Sequence, residues 1–158
     1  MRATYRVLAY LLALEVVVQA AAIAWAVFGL STWIENGGVL DKAGMESDAV
    51  VFDGVTGFMV HGLNGQIIVP VIALVLFIVS FFARFPRAVA WAGAALLTVI
   101  VQVALGMFAH AVPALGMLHG AVALVLLVVA LIAARKASGP APAATSTEAS
   151  TGAHAAQV

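Results

Sequence analysis

The sequence predicts an all-α integral membrane protein, an up-down-up-down bundle of four helices with both termini on the cytoplasmic side. Three observations support this fold class: the composition is strongly apolar, the apolar residues fall in four long segments, and the basic residues gather on one side of those segments. Hydrophobic residues make up 65% of the 158 residues and charged residues 9%, against about 45–50% and about 25% in soluble domains.

Each apolar segment has about the 20 residues that a helix needs to cross a bilayer. A polar, acidic loop of residues 31–53 separates the first two segments. The second contains Pro70, which removes a backbone hydrogen bond to the carbonyl of Gln66 and predicts a kink just below His61. The predicted spans are residues 7–30, 55–83, 88–110 and 113–134.

The later connections are short. Pro86 stops the second helix within the turn between the second and third spans. Pro113 is well placed as the first residue of the fourth helix, where its missing N–H is not needed. The first segment resembles a secretory signal, with small residues at Ala24 and Ala26, but the apolar run is too long for one and Glu15 interrupts it. We therefore expect the first span to be retained.

The basic residues predict the orientation. Basic residues in short loops mark the cytoplasmic face of a membrane protein. Only Lys42 lies on the other side, together with the acidic loop and the turn at 110–113, which are predicted to lie outside. Residues 1–136 form the predicted transmembrane domain, and residues 137–158 read as a disordered cytoplasmic tail. The cytoplasmic-side basic residues are Arg2, Arg6, Arg84, Arg87, Arg135 and Lys136.

Charge and cysteine content exclude several functions. The formal net charge is zero and no basic patch lies outside the short loops, so nucleic acid is not an expected partner. The chain has no cysteine, which excludes disulfides, iron–sulfur clusters and thiolate-ligated heme. Histidine is then the remaining good nitrogen ligand for a transition metal.

His61 and His119 occupy matching positions. Each lies a few residues inside the second or fourth span and is followed by glycine. These two spans run in the same direction, so the imidazoles are expected at one depth near the outer face. In such a bundle the two helices stand diagonally, with axes roughly 11–14 Å apart, which suits two histidines on one iron. The sequence therefore predicts heme b held by His61 and His119.

Other polar residues complete the candidate site. Gln102, in the third span, lies near the level of the histidines and is predicted to line the cofactor site. His110 ends the third span, where contact with a heme propionate, substrate chemistry and solvation at the rim all remain open. Glu15 is the only acid inside a span; it is expected to face inward, as a proton relay, a quinol contact or a hydrogen bond that fixes helix packing.

A family resemblance accompanies this pattern. Gln102–Gly106, a short turn with Pro113, and Ala114–His119 followed by an apolar helix resemble one half of heme A synthase. The resemblance implies a histidine pair on the second and fourth helices available to heme, and two copies that pair to imitate the full enzyme. The chain also resembles uncharacterised small four-helix membrane proteins of high-GC bacteria.

The chain departs from the heme A synthase pattern at two places. Gly57 stands one turn before His61, where the family carries a glutamate, and the outer loop has no cysteine pair. The resemblance therefore implies heme binding without the family's hydroxylation chemistry.

The sequence thus predicts a protein of the bacterial cytoplasmic membrane that binds heme b and acts in electron transfer or heme handling. Ligation by both histidines leaves no open axial position, which favours electron transfer over oxygen chemistry; membrane oxidoreductase activity stays open. The expected partners are the lipid bilayer and either a second copy or a larger membrane complex. The alternatives are an accessory subunit without cofactor, in which each histidine bonds a backbone carbonyl or water, and a proton-coupled carrier using Glu15.

Overall fold

The computed structural model describes residues 1–46 and 51–139, and all regular structure there is helical. The elements are α1 (Arg2–Glu35), α2 (Lys42–Glu46), α3 (Val55–Leu63), a π-helical turn (Asn64–Ile68), α4 (Val69–Ser80), α5 (Ala88–Ala109) and α6 (Ala114–Ala137). Because α3, the π turn and α4 form one continuous helix, four helices are long and apolar enough to cross a membrane. This confirms the all-helical class, and the four long apolar helices lie where the four spans are predicted. Most of the predicted tail, from 140 onward, lies outside the described residues.

The helix α1 is longer than the predicted first span at both ends. At its start, Arg2 donates from Nε to the carbonyl of Ala137 (3.1 Å) and from Nη2 to that of Gly139 (2.7 Å). Tyr5 is completely buried and donates to the carbonyl of Ala88 at 3.1 Å. These bonds tie the first turns of α1 to the end of α6 and the start of α5. We call this end of the bundle the basic end.

Pro70 disturbs the second long helix, as its sequence position predicts. Since Pro70 has no N–H to donate to the carbonyl of Gln66, the regular pattern is interrupted there. The structure places a π-helical turn over Asn64–Ile68, closed by a bond from the N–H of Val69 to the carbonyl of Asn64. Turns of this type often lie at functional sites. This one follows directly on the segment that carries His61.

Small residues let the helices pack closely. A Cβ at Gly57 would lie 2.4 Å from the carbonyl oxygen of Ala22 and 3.1 Å from the Cβ of Ala26, so α3 and α1 meet backbone to backbone. Helices in membranes commonly pack through such residues. The main core, in the half nearer the basic end, is also rich in alanine, and its largest fully buried side chains are Tyr5, Leu12, Leu76 and Val99.

The other half of the bundle is held differently. In the second long helix, the segment α4 packs on both α1 and α5, whereas α3 packs chiefly on α1. Many large apolar side chains on the outer surface are exposed, including Met59, Met107 and Met117, as suits helices surrounded by lipid. The histidines therefore lie in the half where the second long helix is least enclosed by its neighbours. We call this the histidine end.

Candidate functional site

The structure brings His61 and His119 together. His61 lies on α3 and His119 on α6, and their ring centroids are 5.9 Å apart, with the ring planes inclined at 65°. Both residues are partly buried. Two imidazoles from different helices thus face the same small region at the histidine end.

A main-chain carbonyl fixes the ring of His119. Its Nδ1 lies 3.0 Å from the carbonyl oxygen of Gln102 on α5. A carbonyl oxygen can only accept, so Nδ1 carries the proton. In the neutral ring, Nε2 is then unprotonated, with a lone pair to offer.

His61 is held in an equivalent way. Its Nδ1 lies 3.1 Å from the carbonyl oxygen of Gln19 on α1. The side-chain nitrogen of Gln19 also lies 2.9 Å from this Nδ1 once the amide is oriented to suit its surroundings. The carbonyl accepts from a protonated Nδ1, whereas the reoriented amide nitrogen donates to an unprotonated one, so the two contacts belong to different tautomers of His61. In the tautomer that pairs with the carbonyl, as at His119, the free lone pair of His61 is on Nε2.

The amide of Gln19 joins α1 to the helix that carries His61. In its satisfied orientation, the nitrogen donates to the carbonyl of His61 at 2.9 Å. Its oxygen accepts from Nδ2 of Asn64 at 2.9 Å and from the N–H of Gly65 at 3.1 Å. Main-chain groups at the start of the π turn are thereby paired. The Gln19 amide therefore fixes the position of His61 along the bundle and the backbone conformation around it.

Glu15 enters the same network. Its Oε2 accepts a hydrogen bond from Nδ2 of Asn64 at 2.7 Å. The two hydrogens of that Asn64 nitrogen serve Glu15 and Gln19, so a continuous line of polar side chains leads from Glu15 through Asn64 and Gln19 to His61. The predicted inward orientation and hydrogen bonding of Glu15 are what the structure shows. The bond crosses between helices, so it also contributes to their packing.

Gln102 has one satisfied and one unsatisfied oxygen. Its main-chain carbonyl holds His119, while its side-chain Oε1 is buried without a hydrogen-bond partner in the part of the chain that the structure describes. Leaving such an acceptor unpaired costs about 1–3 kcal/mol. A donor supplied from outside the described residues would remove that penalty. Gln102 thus lies beside His119, and its role in lining a cofactor site stays a prediction.

Glycines shape the space around the rings. A Cβ at Gly106 would lie 3.1 Å from Cε1 and 3.2 Å from Nδ1 of His119, so any side chain there would press on the ring. In contrast, a Cβ at Gly62, Gly116 or Gly120 would meet nothing within 4 Å. Each histidine therefore has open space beside it on its own helix.

His110 is not part of this arrangement. It stands at the C-cap of α5 and is exposed. Among the described residues, no hydrogen bond or ring contact joins it to His61 or His119. Of the three roles left open for His110, solvation at the rim agrees best with this exposed position.

The spacing of the two rings is compatible with two imidazoles on one metal ion. With metal–nitrogen bonds of about 2 Å, two axial imidazoles on one iron place their ring centroids about 6 Å apart; the observed value is 5.9 Å. Hydrogen-bonding Nδ1 to a backbone carbonyl is the usual way in which a protein orients a ligating histidine. Within residues 1–46 and 51–139, no group of three or more His, Cys, Asp or Glu could hold a metal ion.

The two clefts identified in the structure lie elsewhere. One, of about 430 Å³, is at the basic end, and the other, of about 390 Å³, lies beside the C-terminal part of α1 near Trp33 and Phe52. Neither is lined by His61 or His119. The geometry of the ring pair and the Gln102 oxygen, rather than an enclosed cavity, thus define the candidate site.

Comparison with protein-family models, with curated proteins and with solved structures finds no match to this chain.

Proposed function

We propose that this chain is a bacterial cytoplasmic-membrane protein that binds one heme b through His61 and His119 and takes part in electron transfer or heme handling. In this proposal the bundle runs up-down-up-down, both termini are cytoplasmic and the histidine end faces outward. The observation that carries the proposal is the pair of imidazole rings at 5.9 Å, each anchored through Nδ1 to a main-chain carbonyl of a neighbouring helix.

In this proposal the residues have separate roles. His61 and His119 would bind the heme iron, and the main-chain carbonyls of Gln19 and Gln102 would orient the two rings and keep their Nε2 atoms unprotonated. A bound heme would supply one-electron chemistry at its iron. With both histidines holding the heme, the chain would leave oxygen no site at the iron, so the residues favour electron transfer or heme handling over oxygenation.

Gly57 supports the same conclusion. It stands where the resembled family carries a glutamate, and here a Cβ would lie 2.4 Å from the carbonyl oxygen of Ala22. The close approach of α3 to α1 therefore leaves no room for an acid at this position. In the proposal, the site binds heme without that carboxylate, and a second copy or a larger complex supplies any further partner.

The absorption spectrum of the purified protein tests the proposal. The wild type, prepared with ample heme supply, is expected to show a Soret band and sharp α and β bands on reduction. His61→Ala and His119→Ala should each abolish the sharp bands, whereas His110→Ala, which removes an exposed histidine from the same end of the bundle, should leave them intact. A colourless wild type, or bands that survive both ligand substitutions, would refute it.

A second candidate is an accessory membrane subunit without cofactor. One observation favours it: both imidazoles already have main-chain hydrogen-bond partners, so they do not need a ligand to be satisfied. The unpaired oxygen of Gln102 does not separate the two candidates, because it is an acceptor and a heme with ionised propionates offers it no donor. Failure of the purified protein to take up added heme would favour this candidate.

A further inference from the structure

A cleft at the basic end has features that the heme proposal does not use. It has a volume of about 430 Å³ and lies where α1 begins, α4 turns into α5, and α6 ends. Within the part of the chain that the structure describes, its lining includes three basic side chains, from Arg2, Arg87 and Lys136, and no acidic residue. It is therefore a concave, positively charged surface at one end of an apolar bundle.

The walls of the cleft are held in place by specific contacts. Arg2 bonds the carbonyls of Ala137 and Gly139, and its guanidinium lies 5.6 Å from the ring centroid of Phe85. Phe85 is buried and packs edge to face on Tyr5, with centroids 4.9 Å apart. These contacts fix the end of α6, and with it Lys136, against the turn that carries Arg87.

Arg87 adds a second source of positive potential. It is the N-cap of α5, and the first N–H groups of a helix, together with its macrodipole, attract anions. Its φ is +63°, a conformation that suits glycine better than arginine. A charged side chain thus occupies a backbone position where glycine would be less strained.

The surroundings of the cleft are apolar. Phe81 and Phe82, in the same turn region, are each 60% exposed, and Trp91 lines the cleft itself. Aromatic residues of this kind are enriched where a helix meets the interface of a bilayer. A soluble anion would gain nothing from this apolar surface, whereas the acyl chains of a lipid would cover it.

We propose that this cleft binds the phosphodiester headgroup of an anionic phospholipid. Arg87 and Lys136 face the phosphate, and Arg2 holds the end of α6 in place beside them. The exposed aromatic residues contact the acyl chains. Basic pockets between transmembrane helices are known to bind such headgroups. The inference is independent of heme, because every residue involved lies at the end of the bundle opposite the histidine pair.

The chain offers a closely matched pair of variants for the test. Arg84 has φ +51° and lies in the same turn as Arg87, but it does not line the cleft. Arg87→Gly and Arg84→Gly remove the same charge and relieve the same backbone strain. A difference between them therefore reports the position of the charge and not a folding defect. Lys136→Gln and Arg135→Gln form a second pair, since only Lys136 lines the cleft.

Native mass spectrometry of the delipidated full chain, titrated with phosphatidylglycerol or phosphatidylcholine, gives the readout. Phosphatidylglycerol should bind more tightly than phosphatidylcholine, and Arg87→Gly and Lys136→Gln should each weaken it about fivefold, as expected for one basic residue at a membrane surface. The control variants should bind like the wild type. A third arm adds inorganic phosphate as competitor, which should not displace the lipid.

Three results would overturn the proposal. Equal binding of the two lipids would show that negative charge is not recognised. Equal weakening by the cleft and control variants would show that only the net charge of this end matters. Displacement of phosphatidylglycerol by millimolar inorganic phosphate would assign the cleft to a soluble anion.

Discussion

Gln102 holds His119 through its main-chain carbonyl, at 3.0 Å from Nδ1, while the Oε1 of its own side chain is buried and unpaired among the described residues. One residue therefore both orients a candidate ligand and presents an acceptor that lacks a donor. The first role belongs to the main chain and survives substitution. The second belongs to the side chain and can be removed separately.

Gln102→Leu should consequently stabilise the protein in its heme-free form. The substitution removes the unpaired acceptor but keeps the carbonyl that bonds His119, so the free energy of unfolding should rise by about 1 kcal/mol. Reversible unfolding in mixed detergent micelles measures this change. A fall in stability would show that Oε1 already has a hydrogen-bond donor.

Gly106→Ala should disturb the site through the ring of His119. A Cβ at this position would lie 3.1 Å from Cε1 of His119, so the ring must move and heme affinity should fall about tenfold, for a displacement penalty of about 1.4 kcal/mol. Heme titration followed by absorbance gives the affinity. Gly93→Ala is the control, since its nearest contact is an ordinary 3.5 Å to Phe77. Unchanged affinity in Gly106→Ala would mean that heme binding does not depend on this position of the His119 ring.

Substitutions of Glu15 separate a packing role from a proton-relay role. Glu15→Gln keeps an oxygen that can accept from Asn64, and should leave stability within about 0.5 kcal/mol of wild type. Glu15→Leu leaves the amide of Asn64 short of a partner and should lose about 0.6 kcal/mol, the average for hydrogen bonds between membrane helices, and at most about 1.7 kcal/mol. Unfolding measurements on both variants give these values.

The two Glu15 variants also bear on electron transfer. If the carboxylate serves only packing, Glu15→Gln should transfer electrons at the wild-type rate when a quinol analogue is the donor. A large loss of rate in this variant, with stability retained, would contradict the packing role and indicate proton transfer along the line from Glu15 to His61.

Gly57→Ala tests the close contact between α3 and α1. The added methyl group would lie 2.4 Å from the carbonyl oxygen of Ala22, so the helices must separate, at a typical overpacking cost of about 1–3 kcal/mol. Gly62→Ala, five residues further on, meets nothing within 4 Å and serves as the control. Comparable stability of the two variants would contradict the close packing. Gly57→Glu should be at least as damaging as Gly57→Ala.

The sequence predicts best those features of the fold that depend on composition and on the spacing of residues along a helix. The four long apolar helices follow from apolar length, and the matched placement of His61 and His119 predicted that they would meet. Pro70 predicted an irregular second helix, since its missing N–H is visible in the sequence. The structure shows that this irregularity is a π turn, a form that depends on neighbouring contacts such as the Gln19 amide.

The parts that sequence reasoning missed depend on the main chain or on exact packing. The carbonyl anchors of both histidines have no side-chain signature, so nothing in the sequence identifies Gln19 as the partner of His61. Asn64 links Glu15 to Gln19. Its position three residues after His61, on the same face of the helix, could have identified it as part of the site. Gly106 was noted only within a family pattern, because its contact with His119 needs coordinates. His110 was counted with the site, yet its exposure follows from how α5 ends.

The most direct test of the histidine pair is the low-temperature EPR spectrum of the oxidised, heme-loaded protein. Two axial imidazoles give a low-spin ferric signal, and ring planes inclined at 65° should make that signal strongly anisotropic. We expect such a spectrum for the wild type and its conversion to a high-spin signal in His119→Ala. A high-spin signal in the wild type, or no heme signal at all, would contradict it.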